Sequence, residues 1–175
     1  MKNVSFLHFA AAAVFSAALL SCASAPTVIK YEGLPHGSRV AVIPFRDCTI
    51  SGQDDCSGSG NIAGTIYARV LASRPDFRFE PVSRPVAATE ALSDDAAIKY
   101  VAGKGFDFVM NGEVNDFYRV APMTFRNERV GLSVRILRVQ DGKIITFQTE
   151  AAHAGNFTTP ERMLEGLASK LAEKF

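Results

Sequence analysis

The sequence is poor in the side chains that most often carry out chemistry. Its 175 residues include three histidines and three cysteines, and one of these histidines lies in an N-terminal segment that we expect to be removed. Neither His36 nor His153 has a serine or cysteine motif nearby, so the sequence contains no recognisable pair of nucleophile and base. We therefore predict a protein that is not an enzyme, with no catalytic residue, no cofactor and no metal.

The sequence also lacks an excess of charge of either sign. Lysine and arginine together number 19, and aspartate and glutamate number 18, which gives a net charge of +1 at pH 7. Nucleic-acid binding depends on clustered basic side chains that neutralise phosphates. A nearly neutral chain with no basic stripe is a poor ligand for nucleic acids, and we predict no nucleic-acid partner.

One long apolar run is present, and it lies at the N-terminus. Lys2 precedes a stretch from Val4 to Leu20 that only Ser5, His8 and Ser16 interrupt. The stretch is long for the hydrophobic part of a secretory signal and short for a membrane-spanning helix. It ends in Leu19-Leu-Ser-Cys22, which resembles the lipobox of bacterial lipoproteins.

The lipobox resemblance implies cleavage before Cys22 and a diacylglycerol on its thiol. Residue 23 is alanine rather than aspartate, which by Gram-negative sorting rules implies the outer membrane. We therefore expect a signal peptide at 1–21, a lipidated tether at 22–38 and a single periplasmic α/β domain at 39–175. Two alternatives remain open: cleavage after Ala25, which the following proline would hinder, and an uncleaved membrane anchor.

The other two cysteines, Cys48 and Cys56, would lie in an oxidising compartment. A disulfide is the economical outcome for two thiols there. Zinc binding is less favoured, because the seven residues between them exceed the usual spacing of paired zinc ligands. We predict a bond between Cys48 and Cys56.

Hydrophobic periodicity predicts a mixed α/β fold. Strands are expected at 39–45, 77–82, 106–115, 129–136 and 143–151, and helices at 62–73, at 85–92, from 94 to a stop at Gly103 or Gly105, and from Pro160 onward. Strands that alternate with helices in the first half indicate parallel connections, and the hairpins of the second half indicate antiparallel ones. We predict a mixed parallel and antiparallel sheet of about five strands with three to four packed helices.

One segment has the spacing of a dinucleotide-binding fingerprint. It is Gly58-Ser-Gly-Asn-Ile-Ala63, with Glu80 at the distance of the acid that binds ribose. That motif needs a tight turn directly after the first strand, whereas about a dozen residues intervene here. An exported protein also has no nicotinamide pool, so we favour a flexible loop that leads into a helix.

Four segments in order resemble a single superfamily. They are Val40–Phe45, Phe77–Val82, Gly105–Phe117 and Val134–Lys143. Together they resemble the CsgG-like superfamily. This superfamily contains the curli secretion channel and the outer-membrane lipoproteins that activate penicillin-binding proteins. The resemblance covers about residues 39–174. It implies an α/β periplasmic domain that is used for protein contacts and not for chemistry.

The function that we expect is that of a non-enzymatic protein-interaction module in cell-envelope assembly or secretion. Its partners would be the membrane, through the lipid on Cys22, and an envelope protein or other copies of itself. The alternatives are an activator of a peptidoglycan synthase and, in another class, a small periplasmic enzyme. The predicted contact site is an apolar hairpin turn with Pro122, Met123 and Phe125, unless that turn folds back onto the sheet.

Overall fold

A computed structural model of the chain describes residues 27–50, 56–119, 128–154 and 158–175. Within these residues, six strands form one mixed sheet and three helices pack on it. The elements are β1 (Thr27–Lys30), β2 (Arg39–Val42), α1 (Ser59–Leu71), β3 (Arg78–Pro81), α2 (Asp94–Val101), β4 (Phe108–Tyr118), β5 (Glu128–Arg138), β6 (Ile144–Ala154) and α3 (Pro160–Ala172). The mixed α/β class is confirmed, with six strands in place of about five. None of the described helices is long and apolar enough to cross a membrane.

The strands have the order β1-β6-β5-β4-β2-β3. β2 is parallel to its neighbours β3 and β4, whereas β4, β5, β6 and β1 pair antiparallel in succession. Both kinds of connection agree with the sequence pattern. Helices connect the parallel strands, and Gly142, with a φ of +72°, lies in the predicted turn between β5 and β6.

Two helices cover one face of the sheet, and the third covers part of the other face. Under α1 and α3 the main core gathers Tyr67, Leu71, Met110, Leu132, Leu164 and their neighbours. Under α2 a smaller core gathers Ala41, Ile43, Ala97, Val101, Val109 and Leu137. This second core lies over β2, the start of β4 and the end of β5. Among the described residues, no helix contributes to a core on this face along β1 and most of β6.

Local capping explains where α2 and α3 begin. The Ser93 hydroxyl accepts a hydrogen bond from the N–H of Ala96 at 3.2 Å, and Thr159 accepts one from Arg162 at 3.4 Å. Pro160 is the first helical residue of α3, where its missing N–H costs nothing. Both helix starts are as predicted, because the signals that set them lie within a few residues in sequence.

The helix predicted at 85–92 is wrong, because the structure has turns there. The guanidinium of Arg84 donates hydrogen bonds to the carbonyl oxygens of Pro44 (2.8 Å), Ala87 (3.3 Å) and Glu90 (2.6 Å). A side chain thus satisfies carbonyls that helical N–H groups would otherwise bind. This arginine, together with a hydrogen bond of 2.9 Å from the N–H of Asp47 to the carbonyl oxygen of Ala88, holds the segment to the residues after β2.

The boundary predicted between tether and domain also differs in the structure. Part of the 22–38 segment belongs to the sheet: β1 pairs antiparallel with β6, with Thr27 opposite Thr149, and Leu34 is buried. A strand of four residues is too short for its alternation to stand out beside proline and glycine. Residues 23–26 are then all that separates Cys22 from β1.

Candidate contact surfaces

A carboxylate of the protein itself occupies the N-terminus of α1, where a dinucleotide fingerprint would bind phosphate. Asp47 is 4% exposed, and its oxygens accept hydrogen bonds from the N–H groups of Gly58 (2.8 Å) and Gly60 (2.7 Å). Helix N-termini favour anions, so this buried aspartate stands where a phosphate would bind. The two donors are already used, which agrees with a loop rather than a cofactor site.

Packing accounts for the glycines of this segment. A Cβ on Gly60 would lie 2.0 Å from the carbonyl oxygen of Phe45, and one on Gly64 would lie 2.9 Å from Cα of Pro44. Gly58 has a φ of +79°, a left-handed conformation that glycine adopts without steric cost. α1 therefore approaches the backbone that follows β2 more closely than a side chain would permit.

The predicted disulfide is present in the structure. Cys48 and Cys56 are bonded, are both buried, and have Cα atoms 5.0 Å apart. The N–H of Cys48 also donates a hydrogen bond to the hydroxyl of Ser59 at 3.2 Å. The bond therefore fastens the segment after β2 to the beginning of α1, in the same region that Asp47 stabilises.

We expect the double variant Cys48→Ala with Cys56→Ala to fold with a lower free energy of unfolding. The bond joins residues separated by 8 in sequence, and the chain-entropy model gives a loss of about 2–3 kcal/mol for such a loop. Urea denaturation should show a lower midpoint. Reduction of the wild-type protein should cause the same shift. An unchanged midpoint in both experiments would contradict a stabilising role for the bond.

Polar side chains inside the main core bind one another. The hydroxyl of Tyr67 donates to Oε1 of Gln148 at 3.0 Å, and Nε2 of Gln148 donates to the carbonyl oxygen of Leu167, also at 3.0 Å. Glu150 pairs with Lys170. Burial raises the pKa of Tyr67 well above its usual value, and the charge of Glu150 adds to the shift. The hydroxyl stays neutral, and these contacts hold α1 and α3 to β6.

A cleft of about 290 Å³ between the start of α2 and the sheet brings polar side chains together. Arg46 pairs with Glu113 at 3.0 Å, Arg135 pairs with Asp94 at 3.3 Å, and Nδ2 of Asn111 donates to Asp94 at 3.0 Å. The Nε atoms of the two arginines make no hydrogen bond among the described residues. Each charge in this cleft has an opposite charge beside it, so the cluster joins α2 to β4 and β5.

A larger cleft, of about 540 Å³, lies at the sheet end where β2 and β4 begin. It contains one histidine and one serine, but the hydroxyl of Ser38 donates to the carbonyl oxygen of Pro35 at 2.5 Å, and His36 pairs with Asp76 at 3.4 Å. The two side chains do not form a nucleophile–base pair in this arrangement. No three metal-binding side chains come together within the described residues.

The part of the second sheet face that has no helix over it carries small side chains at its centre. Ser133 lies opposite Thr149, with their hydroxyls 3.2 Å apart, and Gly131 lies opposite Ala151. Thr149 and Ala151 are exposed. Small side chains in a row permit another protein element to come close to the strands. We call this surface, with Ile29 and Phe147 beside it, the open sheet face.

Exposed large hydrophobic side chains gather at one corner of the open sheet face. Four are exposed among the described residues, and three of these, Ile29 (38%), Tyr31 (60%) and Ile144 (41%), lie in or next to β1 and β6. Ile29 lies opposite Phe147, and Ile144 lies opposite Leu137, whose side chain belongs to the smaller core. The corner is therefore on the same side of the sheet as α2.

An ion pair borders the open sheet face, where Arg129 pairs with Asp116 at 3.2 Å. Arg138 pairs with Glu32 and Asp141, but it lies opposite Phe108 of the main core and therefore on the other side of the sheet. An apolar corner with a neutral centre and a charged border is the composition of a protein contact surface.

Two of the predicted sites lie outside the described residues. These are the lipidation site Cys22 and the hairpin turn with Pro122, Met123 and Phe125, and both remain predictions. The open sheet face was not foreseen, because its side chains come from three strands and one of these strands lies in the predicted tether. The small residues Thr149 and Ala151 at alternate positions of β6 were the sequence signal for it.

No family model and no curated protein matches this chain. Solved structures do resemble it. The PelC dodecamer from Paraburkholderia phytofirmans is 17% identical, with a TM-score of 0.62 over 83% of this chain and 92% of that one. Lipoprotein GNA1162 from Neisseria meningitidis is 15% identical, with a TM-score of 0.51 over 78% and 96%. The chain therefore shares its fold with the subunit of a dodecamer and with a bacterial lipoprotein.

Proposed function

We propose that the mature chain is a lipoprotein of the outer membrane, anchored through Cys22, whose periplasmic domain acts by contact with other proteins in envelope assembly or secretion. The observation that carries this proposal is the distribution of polar and apolar groups. In the two clefts described above, each histidine or arginine side chain is paired with a carboxylate. Exposed apolar side chains instead collect beside the open sheet face, where they gain most from a partner that covers them.

The short N-terminal linker limits where that partner can be. Only residues 23–26 separate Cys22 from β1, and five extended steps of the chain span at most about 17 Å. A domain on this linker stays close to the bilayer. This favours partners at the outer membrane over the alternative of a peptidoglycan synthase reached across the periplasm.

The two similar structures are compatible with this role. GNA1162 is a lipoprotein, and PelC forms a dodecamer. Likeness at such low identity concerns the fold alone. The support is therefore that this fold occurs in a lipoprotein and in the subunit of a dodecamer. Self-association therefore stands beside an envelope partner as the kind of contact that we propose.

We expect the predicted hairpin tip to take part in the contact with an envelope partner. Met123→Ser with Phe125→Ser should weaken that contact about tenfold or more, because apolar anchors carry most of the binding energy at interfaces. Chemical cross-linking of the full-length chain in intact cells, followed by mass spectrometry, measures the yield of adducts. The thermal midpoint of the variant should equal that of the wild type.

A matched variant controls for the loss of surface residues. Asn61→Ser with Thr65→Ser changes two exposed side chains of α1 and should leave the adducts unchanged. Equal adduct yields from the tip variant and the wild type would exclude the tip as the contact site. A wild-type chain that forms no protein adduct at all would contradict the contact function.

A further inference from the structure

We infer that the open sheet face is the surface through which copies of this chain bind one another, an inference that rests on the proposed contact function. Four features carry it: the direction in which the chain leaves β1, the chemistry of the face, the state of the two sheet edges, and the consequence of a shared membrane. The occupant to which these features point is a second copy of the chain.

The first feature is the direction of the linker. Thr27, the first residue of β1, lies opposite Thr149, and β6 continues for five further residues to Ala154, which lies opposite Glu128. These five residues rise about 17 Å along the sheet, and the linker to Cys22 spans at most the same distance. The N-terminal end of β1 thus points toward the sheet end where β6 finishes. With that end at the bilayer, the open sheet face is turned sideways, toward neighbours in the same membrane.

The second feature is the chemistry of the face, which suits protein better than lipid. Its centre holds the hydroxyls of Ser133 and Thr149, and Arg129 and Asp116 form an ion pair on its border. A hydrocarbon phase would reject these groups, and the chain has no excess of basic residues for lipid headgroups. A second protein surface can accept them, with Ile29 and its apolar neighbours as the anchoring side chains.

The third feature is that neither sheet edge suits pairing between copies. β3 forms one edge and ends in Pro81, which has no N–H to donate. β1 forms the other edge, and antiparallel pairing of two β1 strands would send the two linkers in opposite directions along the sheet. Both lipids then reach a single bilayer only with difficulty. Contact through the face of the sheet lets both linkers point to the same bilayer.

The fourth feature is the effect of a common membrane. A rotation about the membrane normal, whether two-fold or of higher order, brings one open sheet face against a neighbour while every linker points to the same bilayer. Anchoring also orients the copies alike and raises their effective concentration. The shared membrane therefore strengthens the contact between copies.

The test is a pair of threonine-to-arginine variants of the full-length, membrane-extracted protein. Thr149→Arg places a charge at the centre of the open sheet face, whereas Thr65→Arg places it on the exposed side of α1. Sedimentation velocity in detergent should find multimers of the wild type and of Thr65→Arg. Thr149→Arg should associate about tenfold or more weakly, because an uncompensated charge is buried at the contact. Equal association of all three proteins would overturn the inference.

A second measurement keeps the inference testable if Thr149→Arg folds poorly. A photoreactive side chain at position 149, in cells, should give an adduct of twice the monomer mass that contains peptides of this chain alone. The same group at position 65 should not. Adducts at position 149 with lipid alone, or with a different protein alone, would overturn the inference. Neither outcome would contradict anchoring through Cys22, which is measured separately.

Discussion

Replacement of Gly60 by alanine should strongly destabilise the domain, whereas the same change at Gly166 should stabilise it. A Cβ on Gly60 would lie 2.0 Å from the carbonyl oxygen of Phe45, 2.6 Å from its carbon and 2.8 Å from the carbonyl carbon of Arg46. All three are backbone atoms, so α1 itself must move. Its displacement breaks the hydrogen bonds of Asp47 with the helix start and separates Tyr67 from the core.

The expected cost is about 4 kcal/mol or more, which is a large share of the 5–15 kcal/mol that stabilises a typical domain. Gly166 lies within α3, and a Cβ on this residue would meet no atom of a neighbouring element within 4 Å. Gly166→Ala should therefore add about 0.5–1 kcal/mol through helix propensity. Circular dichroism with urea titration compares the two variants. A Gly60→Ala midpoint equal to that of the wild type would contradict the close approach of α1 to the backbone after β2.

Replacement of Cys22 by alanine should transfer the protein almost completely out of the membrane fraction. The chain is nearly neutral, so headgroup electrostatics contribute little, and the attachment would depend on acyl chains worth about 0.8 kcal/mol per buried CH₂. Fractionation of cells into outer-membrane and soluble periplasmic material, followed by immunoblotting, measures the transfer.

The proper control is the variant that lacks the other two cysteines. Cys48→Ala with Cys56→Ala removes the disulfide and should leave the protein in the outer membrane. Release in that variant as well would show that folding, rather than lipid, determines the location. A Cys22→Ala protein that stays in the membrane through a carbonate wash would instead support an uncleaved N-terminal anchor.

The parts of the fold that sequence could predict are those set by nearby residues. The long strands β4 to β6 show their alternation within one segment, and Ser93 and Thr159 cap the helices that directly follow them. β1 was missed because four residues carry too little pattern, and their partner strand lies more than 100 residues later in sequence. The prediction of a helix at 85–92 was wrong because Arg84 donates hydrogen bonds to carbonyl oxygens of that segment. Local helix propensity does not include such a contact.

The candidate sites divide in the same way. The disulfide followed from the compartment and the number of cysteines, before any geometry was known. The role of Asp47 did not, because the carboxylate stands 11 and 13 residues before the glycines that it binds. The open sheet face needs the placement of three helices to be recognised, since it consists of what the helices leave uncovered. Local patterns show which strand face is polar but not which face stays uncovered.

We propose that this domain works at the membrane through a lipid on its first mature residue. Intact-mass and N-terminal peptide analysis of the protein extracted from membranes tests it most directly. We expect the mature chain to begin at Cys22, with a mass that includes a diacylglycerol and no residue of 1–21. An unmodified N-terminus at Pro26, or a peptide that retains residues of 1–21, would contradict it.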